Sequence, residues 1–422
     1  VSELVLITVA GQDRPGVTAA ITECLSQYDV DILDIGQAVI HDSLVLGLLV
    51  NIPSVATNDT GLDGSQQGSQ QYIQNLVLDL GGDLGVDVSF LPVTESSYAQ
   101  WTTHQGQPRF ILTLLARKIK AAHIAKVSRV IADNGMNIDS IVRLSGRVNV
   151  DDKGLDEQGV GAKACVEFSL KGGHENSKSL RTELMQVCSD LEIDIAIQED
   201  GIFRRHRRLI CFDMDSTLIT TEVIDELAEL AGVGEKVSAI TSRAMAGELD
   251  FRQSLHERVA LLKGLSEDCL EEVAAALPLS EGVEHLFETL NRLGYKTAIL
   301  SGGFDFFGKV LQQKLAIDYV YANRLEIEHG LLTGKVIEPI VDAARKASLV
   351  RELAEKEGIA LEQVIAVGDG ANDLQMLAVA GLGIAFHAKP VVRESAEQSI
   401  STLGLDSILY LMGIRDREAE RV

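Results

Sequence analysis

The strongest constraint on the fold lies in the second half of the chain, where short apolar runs stop abruptly at polar residues. Leu209-Ile-Cys-Phe212 runs into Asp213-Met-Asp215-Ser-Thr217, and residues 297–300 run into Ser301-Gly302-Gly303. Residues 364–367 run into Gly368-Asp369-Gly370-Ala-Asn372-Asp373, and a fourth run spans residues 382–386. Runs this short and this apolar suit strands buried on both faces. Helical stretches lie between them, the alternation that a doubly wound parallel α/β sheet requires. Such sheets place their ligand sites at the carboxyl ends of the strands, where these polar residues fall. Alternate side chains of an extended segment share a face, so Asp213 and Asp215 project together.

Residues 219–278 hold no comparable strand and read as an inserted helical subdomain, a cap extending over about 219–285. The first half has a different rhythm. A strand at 4–10 leads through Gly11-Gln-Asp13-Arg14-Pro-Gly16 to a helix at 17–28, a segment at 30–36 and an apolar strand at 43–52. The order recurs downstream at 110–116, 121–134, 136–141 and 164–170, with Asp31-Ile-Leu-Asp-Ile-Gly and Asn137-Ile-Asp-Ser-Ile-Val as the clearest pair. Three domains are expected, at 1–95, 106–200 and 205–422. Residues 94–108 are polar, without apolar periodicity, and read as a linker. Phe203-Arg-Arg-His-Arg-Arg208 has two readings: an anion-binding patch, or a solvated linker or contact with the acidic first domain.

The 422 residues carry a formal net charge of −24, and Arg14 is the only Lys or Arg among the first hundred. That balance argues against nucleic acid or an anionic membrane as partner, since phosphate backbones are bound by basic surfaces. The five cysteines are scattered without ligand-like spacing, as reduced, packed thiols would be. No cationic and apolar leader opens the sequence, and no apolar run is long enough to span a bilayer, so a soluble, cytoplasmic protein is expected.

The polar strand ends share a chemistry. Two carboxylates held together want a divalent cation or a shared proton. Phosphoryl transfer needs such a cation, cationic or N–H donors around the phosphate, and an in-line nucleophile. Asp213 can attack phosphorus, and Asp215 can protonate the leaving oxygen and then activate water. Ser301 Oγ and the Gly302 N–H can hold phosphate oxygens, Lys346 supplies a fixed positive charge, and Asp369 completes an oxygen-ligand Mg²⁺ site with Asp213. Lys346 is expected to begin a helix over 346–355. No GxxxxGK[ST] motif is present, which disfavours nucleotide-driven P-loop chemistry.

At these residues the sequence resembles the haloacid dehalogenase superfamily: Asp213-Met-Asp215-Ser-Thr217, Ser301, Lys346 and residues 368–373 match its four motifs in order. It is closer still to the phosphoserine phosphatase family. Glu222-Val-Ile-Asp-Glu-Leu-Ala, Phe251-Arg-Gln-Ser-Leu-His-Glu-Arg258 and Ser301-Gly-Gly-Phe are similar to that family's opening, cap and phosphate-loop signatures. The resemblance implies Mg²⁺-dependent hydrolysis of phosphoserine, the last step of serine biosynthesis. Asp213 would be nucleophile and ligand, Asp215 general acid/base and a ligand through its backbone carbonyl, and Asp369 the third ligand. Glu222 and Arg258 would recognise the amino and carboxylate groups of the substrate. Ser301, Gly302, Lys346 and Asn372 would contact phosphate or substrate, Met245 and Phe251 would close an apolar wall, and Thr217 and Asp373 would act from behind.

The N-terminal repeats resemble ACT domains, ferredoxin-like βαββαβ modules that bind amino acids and regulate biosynthetic enzymes. Gly11, Asp13, Arg14 and Gly16 match the ligand loop. The second repeat has Arg117, Ile119 and Ala122 at the positions equivalent to 11, 13 and 16, and so departs from it. The resemblance implies an amino-acid effector such as serine and a homodimer formed through these modules. Two other readings stay open from sequence: a phosphotransferase delivering the phosphate to an alcohol, and an amino-acid sensor with a vestigial site.

Overall fold

The computed structural model describes residues 3–53, 66–103, 106–147, 162–172 and 177–419. The chain divides into two compact units, Val1–Gln107 and Pro108–Val422.

In the first unit, β1 (Glu3–Gln12), α1 (Val17–Ser26), β2 (Asp31–Ile40), β3 (Ser43–Ile52), α2 (Gln66–Leu84) and β4 (Val86–Val93) follow the βαββαβ order. Its sheet is antiparallel, in the order β2-β3-β1-β4. Alternate residues of β1 (Val5, Ile7, Val9) and β3 (Leu44, Leu46, Leu48, Val50) meet Val17, Ile21 and Leu25, spaced four apart on α1. Period-two and period-four apolar spacing thus share one core. Residues 94–108, expected as a bare linker, contain α3 (Glu95–Thr103). Thr94 Oγ1 accepts from the Ser97 N–H at 3.2 Å as an N-cap, and the Tyr98 and Trp101 rings lie 5.9 Å apart. The helix buries no residue, which is why no apolar stripe announced it.

The second unit opens with a second such module: β5 (Arg109–Ala116), α4 (Ala121–Asp133), β6 (Asn137–Arg143), β7 (Ala164–Lys171), α5 (Ser177–Leu191) and β8 (Asp194–Glu199). Its sheet order is β6-β7-β5-β8. The α/β half starts at β9 (Leu209–Phe212). Four helices follow, α6 (Val223–Leu230), α7 (Gly234–Met245), α8 (Phe251–Ala260) and α9 (Asp268–Ala276), which form the insertion. The remainder runs α10 (Val283–Arg292), β10 (Lys296–Phe304), α11 (Asp305–Leu315), β11 (Tyr319–Glu328), β12 (Leu331–Ile337), α12 (Ala343–Glu357), β13 (Val364–Gly368), α13 (Leu374–Val379), β14 (Leu382–Phe386), α14 (Pro390–Ser395) and β15 (Gln398–Ile400).

These strands form a seven-stranded sheet, β12-β11-β10-β9-β13-β14-β15, parallel except for β12. Successive strand residues alternate between two cores. Ile210, Phe212, Ile299, Ile365, Val367 and Ile384 face Leu286, Phe287, Leu290 and Phe307. Leu209, Cys211, Ala298, Leu300, Val364 and Ala366 face Leu349, Val350, Leu353, Met376 and Leu377. Helices on both faces make the sheet doubly wound, and β9 lies at its centre. The β11–β12 hairpin turns through His329 and Gly330, both at positive φ, the conformation of a two-residue hairpin loop. The helix expected to begin at Lys346 begins at Ala343, because Asp342 caps it by accepting from the Arg345 N–H at 2.9 Å. Among the described residues no helix is long and apolar enough to cross a membrane.

Candidate active site

Because β9, β10 and β13 are parallel neighbours, their carboxyl ends bring residues 213–217, 301–303 and 368–373 together. Asp213, Asp215, Thr217, Ser301, Lys346 and Asp373 are all buried. Lys346 is 1% exposed, and its Nζ lies 2.8 Å from Asp213 Oδ2 and 2.7 Å from Asp373 Oδ1. Burial alone would lower the Lys346 pKa, but the two carboxylates reverse this and hold it raised, so the ammonium stays charged. The second oxygen of Asp213 accepts from the Met214 N–H at 2.7 Å, and that of Asp373 from the Gly370 N–H at 3.0 Å.

The two carboxylates of the 213–217 loop diverge in their partners. Asp215 Oδ1 accepts from the Val223 N–H at 3.0 Å, and Ser301 Oγ lies 3.5 Å from its Oδ2. Burial, with the Glu222 and Asp213 charges close by, holds the Asp215 carboxyl well above the ordinary range. Burial and Asp213 likewise push Asp369 up to about 7 and Asp373 up to about 8. Thr217 Oγ1 lies 3.3 Å from Asp369 Oδ1.

Ligand oxygens of Asp213, Asp369 and Asp373 all fall within 4.8 Å of one another. Four carboxyl groups therefore crowd around one buried ammonium, and three of them are pushed towards their neutral forms. Such a site is short of positive charge, and its donors are all oxygens, the set that suits Mg²⁺. Asp373 has both oxygens committed, to Lys346 and the Gly370 N–H. Asp213 is engaged in the same way, by Lys346 and the Met214 N–H, and Asp369 lies beside Thr217, so all three belong to one acidic cluster, while the Asp215 side chain is turned to Val223 and Ser301.

The glycine-rich loop is shaped by close approach. Gly303 N–H donates to Ser301 Oγ at 2.9 Å, and a Cβ on Gly303 would stand 2.2 Å from Asp215 Oδ2. A Cβ on Gly302 would stand 3.0 Å from the Phe251 ring, so the first residue of α8 lies directly over the loop. Arg252 Nε donates to Asp342 Oδ2 at 3.1 Å, linking the same helix to the cap of α12.

Glu222 and Arg258, from the insertion, face this centre. Ser216, held at φ 55°, donates through Oγ to Glu222 Oε1 at 3.0 Å. Crowding by protein, together with Asp213 and Asp225, raises the Glu222 pKa. Arg258 is half-buried, which lowers its pKa, and the nearby Glu222, Asp225 and Asp215 charges oppose that shift. Asn372 is half-buried beside Gly370, where a Cβ would meet its Oδ1 at 2.1 Å. Met245 is not drawn into this group: it is 64% exposed, with its sulfur 3.9 Å from Lys389 Nζ.

Two residues escaped the sequence reading. Ser216 orients Glu222. Asn323, fully buried on β11, donates to the Gly302 carbonyl at 2.8 Å and accepts from the Val341 N–H at 2.8 Å. It ties the glycine loop to the segment that enters α12. Its partners are backbone atoms about twenty positions away, and no spacing in the sequence signals that.

A haloacid dehalogenase-like hydrolase profile matches residues 207–381, and ACT-domain profiles match residues 3–89 and 109–198. The phosphoserine phosphatase of Streptomyces coelicolor is 40% identical over 415 residues, covering 98% of this chain and 93% of the relative. The chain belongs to the phosphoserine phosphatase family. The family's Mycobacterium tuberculosis member is likewise 40% identical, over 99% of this chain and 94% of its own. A haloacid dehalogenase-family hydrolase from Salmonella enterica serovar Typhi superposes with a TM-score of 0.61 at 32% identity, over 72% of this chain and 98% of that one.

Family membership and the haloacid dehalogenase-type α/β core make the chain a phosphatase, and the glycine loop gives a direct check. Gly303→Ala forces Asp215 aside, and misplacement of a reacting group by about 1 Å costs on the order of 100-fold. Phosphate release should fall by about that factor with the thermal midpoint little changed. Full turnover in Gly303→Ala would contradict the geometry.

Proposed function

We propose that the site hydrolyses O-phospho-L-serine to L-serine and phosphate with Mg²⁺ as cofactor. The observation that carries this reading is the pair Glu222 and Arg258, one charge of each sign, facing a carboxylate centre built around buried Lys346. A small zwitterion carrying a phosphate matches both halves, and the relatives' names support the same substrate.

In the proposed mechanism an Asp213 oxygen attacks phosphorus as the ester P–O bond breaks, giving an aspartyl phosphate. Asp215 enters protonated, as its burial favours, and gives its proton to the departing serine oxygen. It then takes a proton from water, which attacks phosphorus and breaks the aspartyl P–O bond, restoring Asp213. Ser301 Oγ and the Gly302 N–H hold phosphate oxygens, Lys346 offsets their charge, and Asn372 contacts the substrate. Asp373 and Thr217 orient Lys346 and Asp369. Asp213, Asp369 and the Asp215 backbone carbonyl would hold Mg²⁺, which when bound offsets charge on the phosphate oxygens. Phe251 excludes water from the loop.

The ACT modules are read as regulatory, with an amino acid such as serine as effector at the first module's 11–16 loop. Gly16, at φ 97°, starts α1 without a side-chain cap, leaving N–H groups open to a carboxylate. Asp13 and Arg14 flank it. Gly11 belongs to β1 instead, pressed on Val86, where a Cβ would meet Val86 Cγ1 at 2.8 Å. A homodimer through the first module is supported by β2, an edge strand whose residues are all exposed, among them Ile32, Ile35 and Ile40.

Arg258→Ala should lower kcat/KM for phosphoserine by about 10–100-fold, the loss of one charge-assisted contact of roughly 1.5–3 kcal/mol. Hydrolysis of p-nitrophenyl phosphate, which offers neither amine nor carboxylate, should change little. Chelation should abolish both activities and added Mg²⁺ restore them. Equal losses on the two esters would refute the recognition role, and activity surviving chelation would refute the cofactor. For the dimer, Ile35→Asp should reduce the sedimenting mass to that of a monomer; an unchanged mass would rule out the β2 interface.

A further inference from the structure

In the second ACT module, the place that Gly11 holds in the first repeat is taken by Arg117, just beyond the end of β5. Its Nη1 and Nη2 donate to Glu281 Oε1 and Oε2 at 2.7 and 2.6 Å, the forked geometry in which guanidinium and carboxylate groups bind most strongly. The Arg117 hydrogen bonds hold the Glu281 carboxyl below its ordinary range. The carboxylate that this module meets therefore comes from the α/β half of the same chain. Lys163, the residue before β7, adds a second contact by donating to Asp406. Asp406 in turn fills the space where Gly282, at φ 81°, has no side chain. The Glu281 carbonyl accepts from the Leu405 N–H at 2.7 Å, so Glu281 is held by its side chain from the module and by its backbone from the core.

Glu281 ends one of the two segments that join the helical insertion to the sheet. The outgoing segment, residues 218–221, follows Thr217 and leads into Glu222, and the returning segment, residues 278–281, leads into α10. The two run antiparallel. Ser280 N–H donates to the Leu218 carbonyl at 2.9 Å, Thr220 N–H donates to the Pro278 carbonyl at 3.0 Å, and Ile219 pairs with Leu279 between them. Leu218 and Ile219 are fully buried, which fixes the inner end of this neck. Thr220 is exposed, and Glu222 lies two residues beyond it. A shift of the returning segment thus reaches Glu222 through these backbone hydrogen bonds.

We infer that Arg117 is a positioning residue: through Glu281 the second ACT module holds the neck of the insertion and so places Glu222 opposite the strand ends. The inference rests on the reading of Glu222 as a group that recognises phosphoserine. Both side chains of the pair are partly exposed, and water weakens such pairs, so loss of Arg117 should loosen substrate binding without abolishing turnover.

Steady-state kinetics on the full chain test this, with phosphoserine and p-nitrophenyl phosphate as separate substrates. Arg117→Ala and Glu281→Ala should each raise KM for phosphoserine about 3- to 10-fold with kcat little changed, as loss of ground-state binding does. Hydrolysis of p-nitrophenyl phosphate should stay as it was. The double variant should lose no more than either single one, because the two residues act as one unit. Arg117→Lys, which keeps the charge, should recover part of the affinity. Glu222→Gln provides the reference. A raised KM in Glu222→Gln beside an unchanged one in Arg117→Ala would overturn this inference alone. An unchanged KM in Glu222→Gln would overturn the recognition reading and this inference with it. Additive losses in the double variant, or equal losses on the two esters, would also overturn it.

Discussion

The site depends on one buried cation. Taking an ammonium into a protein interior is expensive unless carboxylates and hydrogen bonds surround it. Lys346 satisfies that condition only between Asp213 and Asp373, so the start of α12 must lie against the ends of both β9 and β13. The other contacts follow from this placement. Asp342 caps the helix that carries Lys346, and Asn323 joins the preceding segment to the glycine loop. One ammonium does not balance four carboxyl groups. The remaining deficit is what a divalent cation would offset.

The groups proposed to select the substrate come from outside the sheet. The helical insertion leaves after β9 and places Glu222, Phe251 and Arg258 opposite the strand ends. Glu222 is positioned by Ser216, a non-glycine residue in the left-handed region. Such backbone strain is found where a side chain must be aimed. Phe251 meets the loop where Gly302 has no side chain, so that glycine lets the insertion close over the core.

Much of this was legible in the sequence because burial on both faces leaves a simple trace. The runs at 209–212, 364–367 and 382–386 contain nothing polar, and their abrupt ends mark the site. The internal repeat was legible for a related reason, since each module buries one face of a sheet under helices. Two elements left no trace: α3 has no core residue, and β15, though buried at Gln398 and Ile400 and paired with β14, is only three residues long. Asn323 and Ser216 were hidden because they act on backbone or on a single neighbour. Within the basic run at 203–208, Arg204 is buried and donates to Glu167 of the second module, a contact the sequence reading had not named.

The central claim is that Asp213 carries the phosphate covalently while Asp215 handles the proton. Acid quenching of the enzyme within milliseconds of mixing with ³²P-phosphoserine, followed by peptide mapping, tests this most directly. Protein-bound phosphate should map to Asp213, labile to base, and should vanish in Asp213→Asn together with turnover. Full-rate phosphate release with no label on Asp213, or an active Asp213→Asn variant, would contradict it.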